Sequence, residues 1–256
     1  MSHSSLYLDV VWPAPSHIRA LTTLRTGGFS LRDYQSLNVA SHVGDEEKAV
    51  LANRQILKDK AGLPTEPYWL KQVHGVRVIE AKSFALNPPP EADASVAFAP
   101  GQVCAVMTAD CLPLLITDKG GSRVAAIHAG WRGLAAGIIE NTVQSLIARP
   151  GDLPEDLLVW LGPAIGPKQF EVGPEVYNIF VDADPDASFA FQAKAEQGRW
   201  LADIYHLASL RLKKLGITQI YGGDYCTYSD SKRFYSYRRD KTTGRMASMI
   251  WIDKGL

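Results

Sequence analysis

Three cysteines in 256 residues are too few, and odd in number, to form a disulfide framework. Such sparse usage suits a reducing compartment, where thiols act as core fillers or metal ligands. Net charge is missing too. The 27 basic side chains balance the 27 acidic ones, which removes the electrostatic case for nucleic acid or an anionic membrane as partner. No stretch approaches 18 uninterrupted apolar residues, and MSHSSLYLDVVW at the start lacks the basic segment and long apolar run of a secretory signal. Repeats, heptads and low-complexity segments are absent as well. Together these absences predict a cytoplasmic protein acting on small molecules. At 46% hydrophobic and 21% charged residues, the chain reads as one α/β domain spanning 1–256.

What is present alternates between strand-like and helix-like patterns. Tyr7 to Trp12 and Ala20 to Arg25 read as strands, the second ending in the turn Thr26-Gly27-Gly28-Phe29-Ser30. Asp45 is placed to cap a helix from Glu47 to Ala61 that stops at Gly62. Short Val-, Leu- and Ile-rich runs follow between Pro67 and Ile116, broken by a loop at Asn87-Pro88-Pro89-Pro90. After a strand at Val124 to His128, apolar residues from Trp131 to Leu146 recur at helical spacing and predict one helix. A strand at Leu157 to Leu161, helices near Glu175 to Val181 and Ala202 to Leu215, and strands near Ile217 to Tyr221 and Ala247 to Ile252 complete the pattern.

Three residues sit at the ends of apolar runs in short polar or Gly-containing motifs: His74 in LKQVHGVRV, Cys111 in MTADCLPLLI and His128 in AAIHAGWRGL. Two imidazoles and one thiolate, with a fourth position open, are the ligand count of a catalytic zinc rather than a structural one. Their spacing excludes a single-loop knuckle, so three strand ends must converge. The alternative is a buried thiol and two histidines satisfied by hydrogen bonds. Cys104, in VCAVMT, reads as core, while Cys226 fits either role.

Cationic and polar residues surround this group in sequence. Arg25 ends a strand before a double-Gly turn, and Arg132 opens a helix directly after the His128 strand; both suit a phosphate or carboxylate. Asn38 and His42 in SLNVASHVGD could serve substrate recognition, or His42 could be a structural loop histidine. The loop Gly162 to Pro167 leads to Phe170, which could pack on a planar ligand. Lys232, Arg233, Arg238, Arg239, Lys241 and Arg245 form a basic cluster with Tyr235 and Tyr237, either a solvated loop or an attractor of phosphate. Asp110, beside the cysteine, is a candidate for proton transfer or for orienting a ligand.

Taken in order, TLRTGGFS, SLNVASHVGD, WLKQVHGVRV, TADCLPLLI, AAIHAGWRGLAAGII, LGPAIGPKQFEVGPEVY, CTYSD and FYSYRRDKTTGRMASMIW cover almost the whole chain. This series resembles the YfiH family, also called the laccase-domain or polyphenol-oxidase-like family. The resemblance implies an α/β sandwich with mixed β-sheets flanked by helices, and a metal held by His74, Cys111 and His128. It also implies phosphorolysis of adenosine, inosine and methylthioadenosine, with adenosine deamination beside it. Zinc is the expected metal and copper the alternative. The expected partners are purine nucleosides and phosphate, met by a monomer or weak homodimer. Catalysis is expected from His74, Cys111, His128 and Asp110, and substrate binding from Arg25, Asn38, Gln72 and Arg132.

Two other functions use the same residues. A multicopper oxidase needs many imidazoles, and the chain has six, His3, His17, His42, His74, His128 and His206, so only a single-copper phenol oxidase is compatible. A cysteine hydrolase with Cys111 as nucleophile and His128 or His74 as base would need no metal; relatives have been linked to peptidoglycan editing. HAGWRG lacks the Glu of the H-x-E zinc deaminases, which leaves a general base unassigned.

Overall fold

A computed structural model describes residues 5–84 and 86–253, so His3 lies outside the described residues. In chain order the elements are β1 (Tyr7–Asp9), β2 (Ile18–Thr23), α1 (Glu47–Ala61), β3 (Val78–Glu80), β4 (Ala94–Ala97), β5 (Val103–Thr108), β6 (Leu112–Asp118), β7 (Val124–Ala129), α2 (Trp131–Ala136) and α3 (Ile138–Leu146). They continue with β8 (Leu157–Leu161), β9 (Glu171–Val172), α4 (Pro174–Val181), β10 (Phe191–Ala193), β11 (Trp200–Ala202), α5 (Ile204–Lys214), β12 (Gln219–Gly222), α6 (Tyr237–Asp240) and β13 (Met246–Ile252).

Two sheets form the centre. One is antiparallel, in the order β1-β2-β13-β5; the other is mixed, in the order β12-β8-β6-β7-β4-β3. A small antiparallel sheet, β10-β11-β9, lies to one side. The period of two along each strand sends alternate residues to different cores. On β5, Val103, Ala105 and Met107 pack toward α1 with Leu57, while Cys104 and Val106 pack toward the mixed sheet. On β6, Leu112, Leu114 and Ile116 face the helices α3 and α5, and Leu115 faces the antiparallel sheet. The result is an α-β-β-α sandwich. Both faces of the central strands are buried, so the strands carry continuous apolar runs instead of alternation. No helix among the described residues is long and apolar enough to cross a membrane.

The differences from the expected elements have local causes. The helix expected from Trp131 to Leu146 is two, because Gly137 at φ 100° ends α2 and begins α3. Asp45 does not cap α1; Glu46 holds that position without a side-chain bond, and the Asp45 carboxylate accepts from Ser30, Asn38 and the Glu46 N–H. Gly62, at φ 62°, does end α1. Asp203 caps α5, its Oδ1 accepting from the N–H groups of Tyr205 and His206 at 3.0 Å. The first strand stops at Asp9, well short of Trp12.

Candidate metal centre and its flanking lobes

Cys111 lies on the crossing from one sheet to the other. β5 belongs to the antiparallel sheet and β6 to the mixed one, and Ala109, Asp110 and Cys111 join them. The crossing requires φ 96° at Asp110, a left-handed conformation that costs a non-glycine residue on the order of 1 kcal/mol or more. Its carboxylate and carbonyl offset that cost. Oδ1 accepts from the Thr227 hydroxyl at 2.6 Å, Oδ2 from the Arg238 N–H at 2.7 Å, and the carbonyl from the Ile165 N–H at 2.9 Å.

His128 stands near the end of β7, in the row with Val124 and Ala126 that faces the antiparallel sheet. Opposite it, one residue before β4, is Asp93. Asp93 carries no motif signal and was not among the expected site residues, yet it is 0% exposed and holds the His128 imidazole and the His74 backbone. Its Oδ1 accepts from His128 Nδ1 at 2.8 Å and from the His74 N–H at 2.9 Å. Oδ2 accepts from the N–H groups of Gly75 at 2.7 Å and Val73 at 3.2 Å. Its carbonyl accepts from the His128 N–H at 2.7 Å. One carboxylate thus fixes the His74 loop, which holds φ 60° at that histidine, and leaves Nε2 of His128 facing Cys111. Only the run of N–H groups it serves, Val73-His74-Gly75, could have hinted at such an acceptor.

The donor atoms of His74, Cys111 and His128 lie within 4.8 Å of one another. Among the described residues no other group of histidine, cysteine and carboxylate does this. Cys111 Sγ is 3.8 Å from His74 Nε2. Sulfur and nitrogen donors about 2.3 and 2.0 Å from a tetrahedral zinc lie about 3.5 Å apart, so this edge fits. Gly130 leaves the space: a Cβ there would fall 2.7 Å from His74 Cδ2 and 3.1 Å from Cys111 Sγ. Burial pushes the Cys111 thiol up, but the charge and hydrogen bond of His128, with His74 beside it, outweigh burial and bring it down to about 6. Burial alone would lower His128; the Cys111 and Asp93 charges raise it to about 9. A metal-free site therefore holds a thiolate beside an imidazolium: the thiolate is already in ligand form, and His128 would give up its proton on binding a soft cation.

The cleft has two lobes that meet at His74, Cys111, Ala109 and Tyr237. One, of about 420 Å³, is the more polar, with His42, Gln72, Thr108, His128 and Arg245. The other, of about 250 Å³, is largely apolar, with Trp131, Ile165, Phe170 and Ile204, and carries Arg132 and Arg238.

The expected substrate residues divide between this cleft and the layer behind it. Gln72 lines the polar lobe, but its amide is paired with Met107, Nε2 donating at 2.8 Å and Oε1 accepting at 2.7 Å, so it pins the end of β5. Arg132 lines the apolar lobe, with its guanidinium 4.3 Å from the Trp131 ring. Asn38 does not reach the cleft. It is 0% exposed, and its Oδ1 accepts from the N–H groups of Ala40 and Arg245, both at 3.0 Å. Arg25 does not reach it either, because its guanidinium donates to the carbonyls of Gln35 and Ser231. Cys226 stands outside the ligand group, its sulfur accepting from the Gly166 N–H at 3.2 Å. Cys104 is buried in the core as expected, with its thiol pushed up by burial to about 12. From the basic cluster, Arg238 and Arg245 turn inward, whereas Arg239 caps the carbonyls of Thr227, Tyr228 and Phe234.

Residues 19–253 match a family model described as multi-copper polyphenol oxidoreductase laccase. A purine nucleoside phosphorylase of Pseudomonas aeruginosa is 53% identical over 246 residues, 96% of this chain and 98% of its own. The purine nucleoside phosphorylase YfiH of Escherichia coli is 51% identical over 243 residues, 94% of this chain and 96% of its own. A crystal structure of a Neisseria meningitidis protein assigned to DUF152 superposes with a TM-score of 0.91 at 46% identity, covering 97% of this chain and 100% of that one.

Proposed function

Because the chain belongs to the multi-copper polyphenol oxidoreductase laccase family, and relatives of 51% and 53% identity are named purine nucleoside phosphorylase, we propose that it is a cytoplasmic, zinc-dependent purine nucleoside phosphorylase. Its substrates are adenosine, inosine and methylthioadenosine, with adenosine deamination as a second activity. The observation that supports this reading is one His-Cys-His group between a lobe lined by Trp131, Ile165 and Phe170 and a lobe lined by Thr108, His42 and Arg245. A nucleoside and phosphate need those two environments on either side of one reacting carbon.

His74, Cys111 and His128 would hold a zinc ion, which would supply Lewis-acid polarisation of a substrate oxygen. The protein's own side chains do the rest. Trp131, Ile165 and Phe170 offer flat and apolar surface to the purine ring, and the ribose then lies near the seam at Tyr237. A phosphate oxygen bonds to C1′ as the C1′–N9 bond breaks, and the electron pair leaves with the purine, through an oxocarbenium-like state. Asp110 keeps the Arg238 turn and the Ile165 loop in place, and in this reading its role is orientation. His42 lines the polar lobe, where burial and the charges of Arg245 and Arg54 lower its pKa.

The test is incubation of zinc-loaded protein with adenosine, with and without phosphate, and separation of adenine from inosine by chromatography. Adenine is expected only with phosphate, and inosine at a slower rate without it. One observation favours a second reading: the thiolate–imidazolium pair of the metal-free site is also that of a cysteine hydrolase. Cleavage of peptidoglycan precursors by chelator-treated protein, with neither adenine nor inosine formed by the zinc-loaded form, would transfer the function to that reading. A copper-loaded sample oxidising phenols, again without adenine, would transfer it to the oxidase reading.

A further inference from the structure

Three arginines line the cleft, and they are not equivalent. Arg132 is exposed and stacked on Trp131. Arg238 donates from Nη1 to the Glu171 carbonyl at 2.8 Å and lies 5.6 Å from the Phe170 ring. Arg245 is half-buried and has no carboxylate within ion-pair distance among the described residues. Its Nη1 donates to the carbonyls of Thr243 and Gly244, at 2.9 and 3.0 Å. Among the described residues its Nε and Nη2 have no acceptor, so one edge of the guanidinium is uncommitted. Its backbone is fixed by the Asn38 Oδ1 bond and by Gly244, where a Cβ would fall 2.7 Å from the Tyr235 ring and 2.8 Å from Asn38 Cβ.

A second observation lies in the same lobe. Thr108 is 2% exposed, ends β5 opposite Met246, and lines the cavity, and among the described residues its Oγ1, sealed just behind the wall, has no hydrogen-bond partner. A buried hydroxyl without a partner costs about 1–3 kcal/mol, and a ligand oxygen that reaches it through a small shift of the cavity wall would remove that cost. Burial also lowers Arg245, and the Cys111 and Asp110 charges, neither of them in ion-pair contact with it, offset only part of that. Both features call for an oxyanion.

We propose that Arg245 and Thr108 form the phosphate subsite, so that phosphate enters through the polar lobe and not at Arg132. This rests on the phosphorylase reading for its role in catalysis, while the binding site itself stands on the lobe's geometry. Phosphate takes two N–H donors from the free guanidinium edge and the Thr108 hydroxyl as a third. Arg132 remains at the mouth of the apolar lobe, beside the base.

The experiment is calorimetric titration of the zinc-loaded full chain with inorganic phosphate, for the wild type and for Arg245→Met, Arg245→Lys, Thr108→Val and Arg132→Met, with metal content and circular dichroism as controls. Arg245→Met is expected to weaken phosphate binding about tenfold to a hundredfold. Arg245→Lys should recover part of it, and Arg132→Met should leave it within about twofold. Thr108→Val should weaken binding about threefold to tenfold and, because it removes an unpaired buried hydroxyl, raise the melting temperature of the phosphate-free protein. No phosphate binding by the wild type, unchanged binding in Arg245→Met, or loss in Arg132→Met with retention in Arg245→Met overturns the subsite. If Arg245→Met does not fold, Thr108→Val decides: unchanged phosphate affinity overturns the proposal. Phosphate bound through Arg245 without adenine formation refutes the phosphorylase reading and leaves the subsite standing. Adenine formation with a phosphate Michaelis constant unmoved in Arg245→Met does the reverse.

Discussion

The two lobes on either side of His74 and Cys111 are built from different layers of the same sandwich. The polar lobe is made where β5 ends and β13 begins, in the antiparallel sheet, with Thr108 and Arg245 as its interior groups. The apolar lobe belongs to the mixed sheet and its helices, with Trp131 at the start of α2, Ile204 at the start of α5, and Ile165 and Phe170 on the loop after β8. Cys111 stands on the crossing between the sheets, so under the proposed function a reacting centre there has Arg245 on one side and the Trp131 and Phe170 rings on the other. The contrast teaches that the sheet-to-sheet crossing, more than any one motif, divides the labour of the cleft.

The most severe way to break this contrast is to remove its centre. Cys111→Ser or His128→Ala each deletes one of three protein donors and should take zinc from about one per chain to near none, with loss of activity at both lobes. Cys104→Ala, in the core, should leave zinc content unchanged. Stoichiometric zinc in either ligand variant, measured by elemental analysis, ends the assignment. Asp93→Asn is the next largest. It keeps the shape but replaces one acceptor oxygen by a donor amide where four N–H groups converge, and should weaken zinc about tenfold to a hundredfold. An unchanged zinc affinity would mean that His74 and His128 are oriented by their own packing.

A sharper test separates the lobes. Phe170→Leu retains an apolar side chain but loses the aromatic face, and should raise the nucleoside Michaelis constant about fivefold to thirtyfold while leaving that for phosphate alone. Equal effects on both constants would show that the lobes do not divide the substrates. The smallest effect concerns charge at the seam. In chelator-treated protein the Cys111 thiol, lowered to about 6, should react with iodoacetamide at a rate that rises through about pH 6 and is level above pH 7. An ordinary thiol would instead rise through about pH 8.5. Subtracting the signal of Cys111→Ser isolates the residue.

How much of this was legible in the sequence depends on whether a residue acts through its own motif. His74, Cys111 and His128 lie in short motifs at run ends, so their convergence follows once the strands are placed. The sandwich, too, is written in apolar runs such as Leu112 to Ile116. Asp93 is not legible, because its partners lie 18–20 and 35 residues away in sequence and the match is made across two strands. Asn38 and Asp110 stand in motifs expected to serve the substrate and catalysis, and both hold the backbone N–H of an arginine that lines a lobe, Arg245 and Arg238. Those arginines were hidden in a basic run that looks solvated until β13 and α6 turn it inward. Gly137 was overlooked for a related reason, since the apolar spacing continues unbroken past the glycine that divides α2 from α3.

The account's central claim is tested most directly by phosphorus NMR of zinc-loaded protein turning over adenosine in the presence of inorganic phosphate. It predicts a ribose 1-phosphate resonance that grows one-for-one with adenine as inorganic phosphate falls. Adenosine left intact, or adenine released with free ribose while inorganic phosphate stays constant, would contradict it.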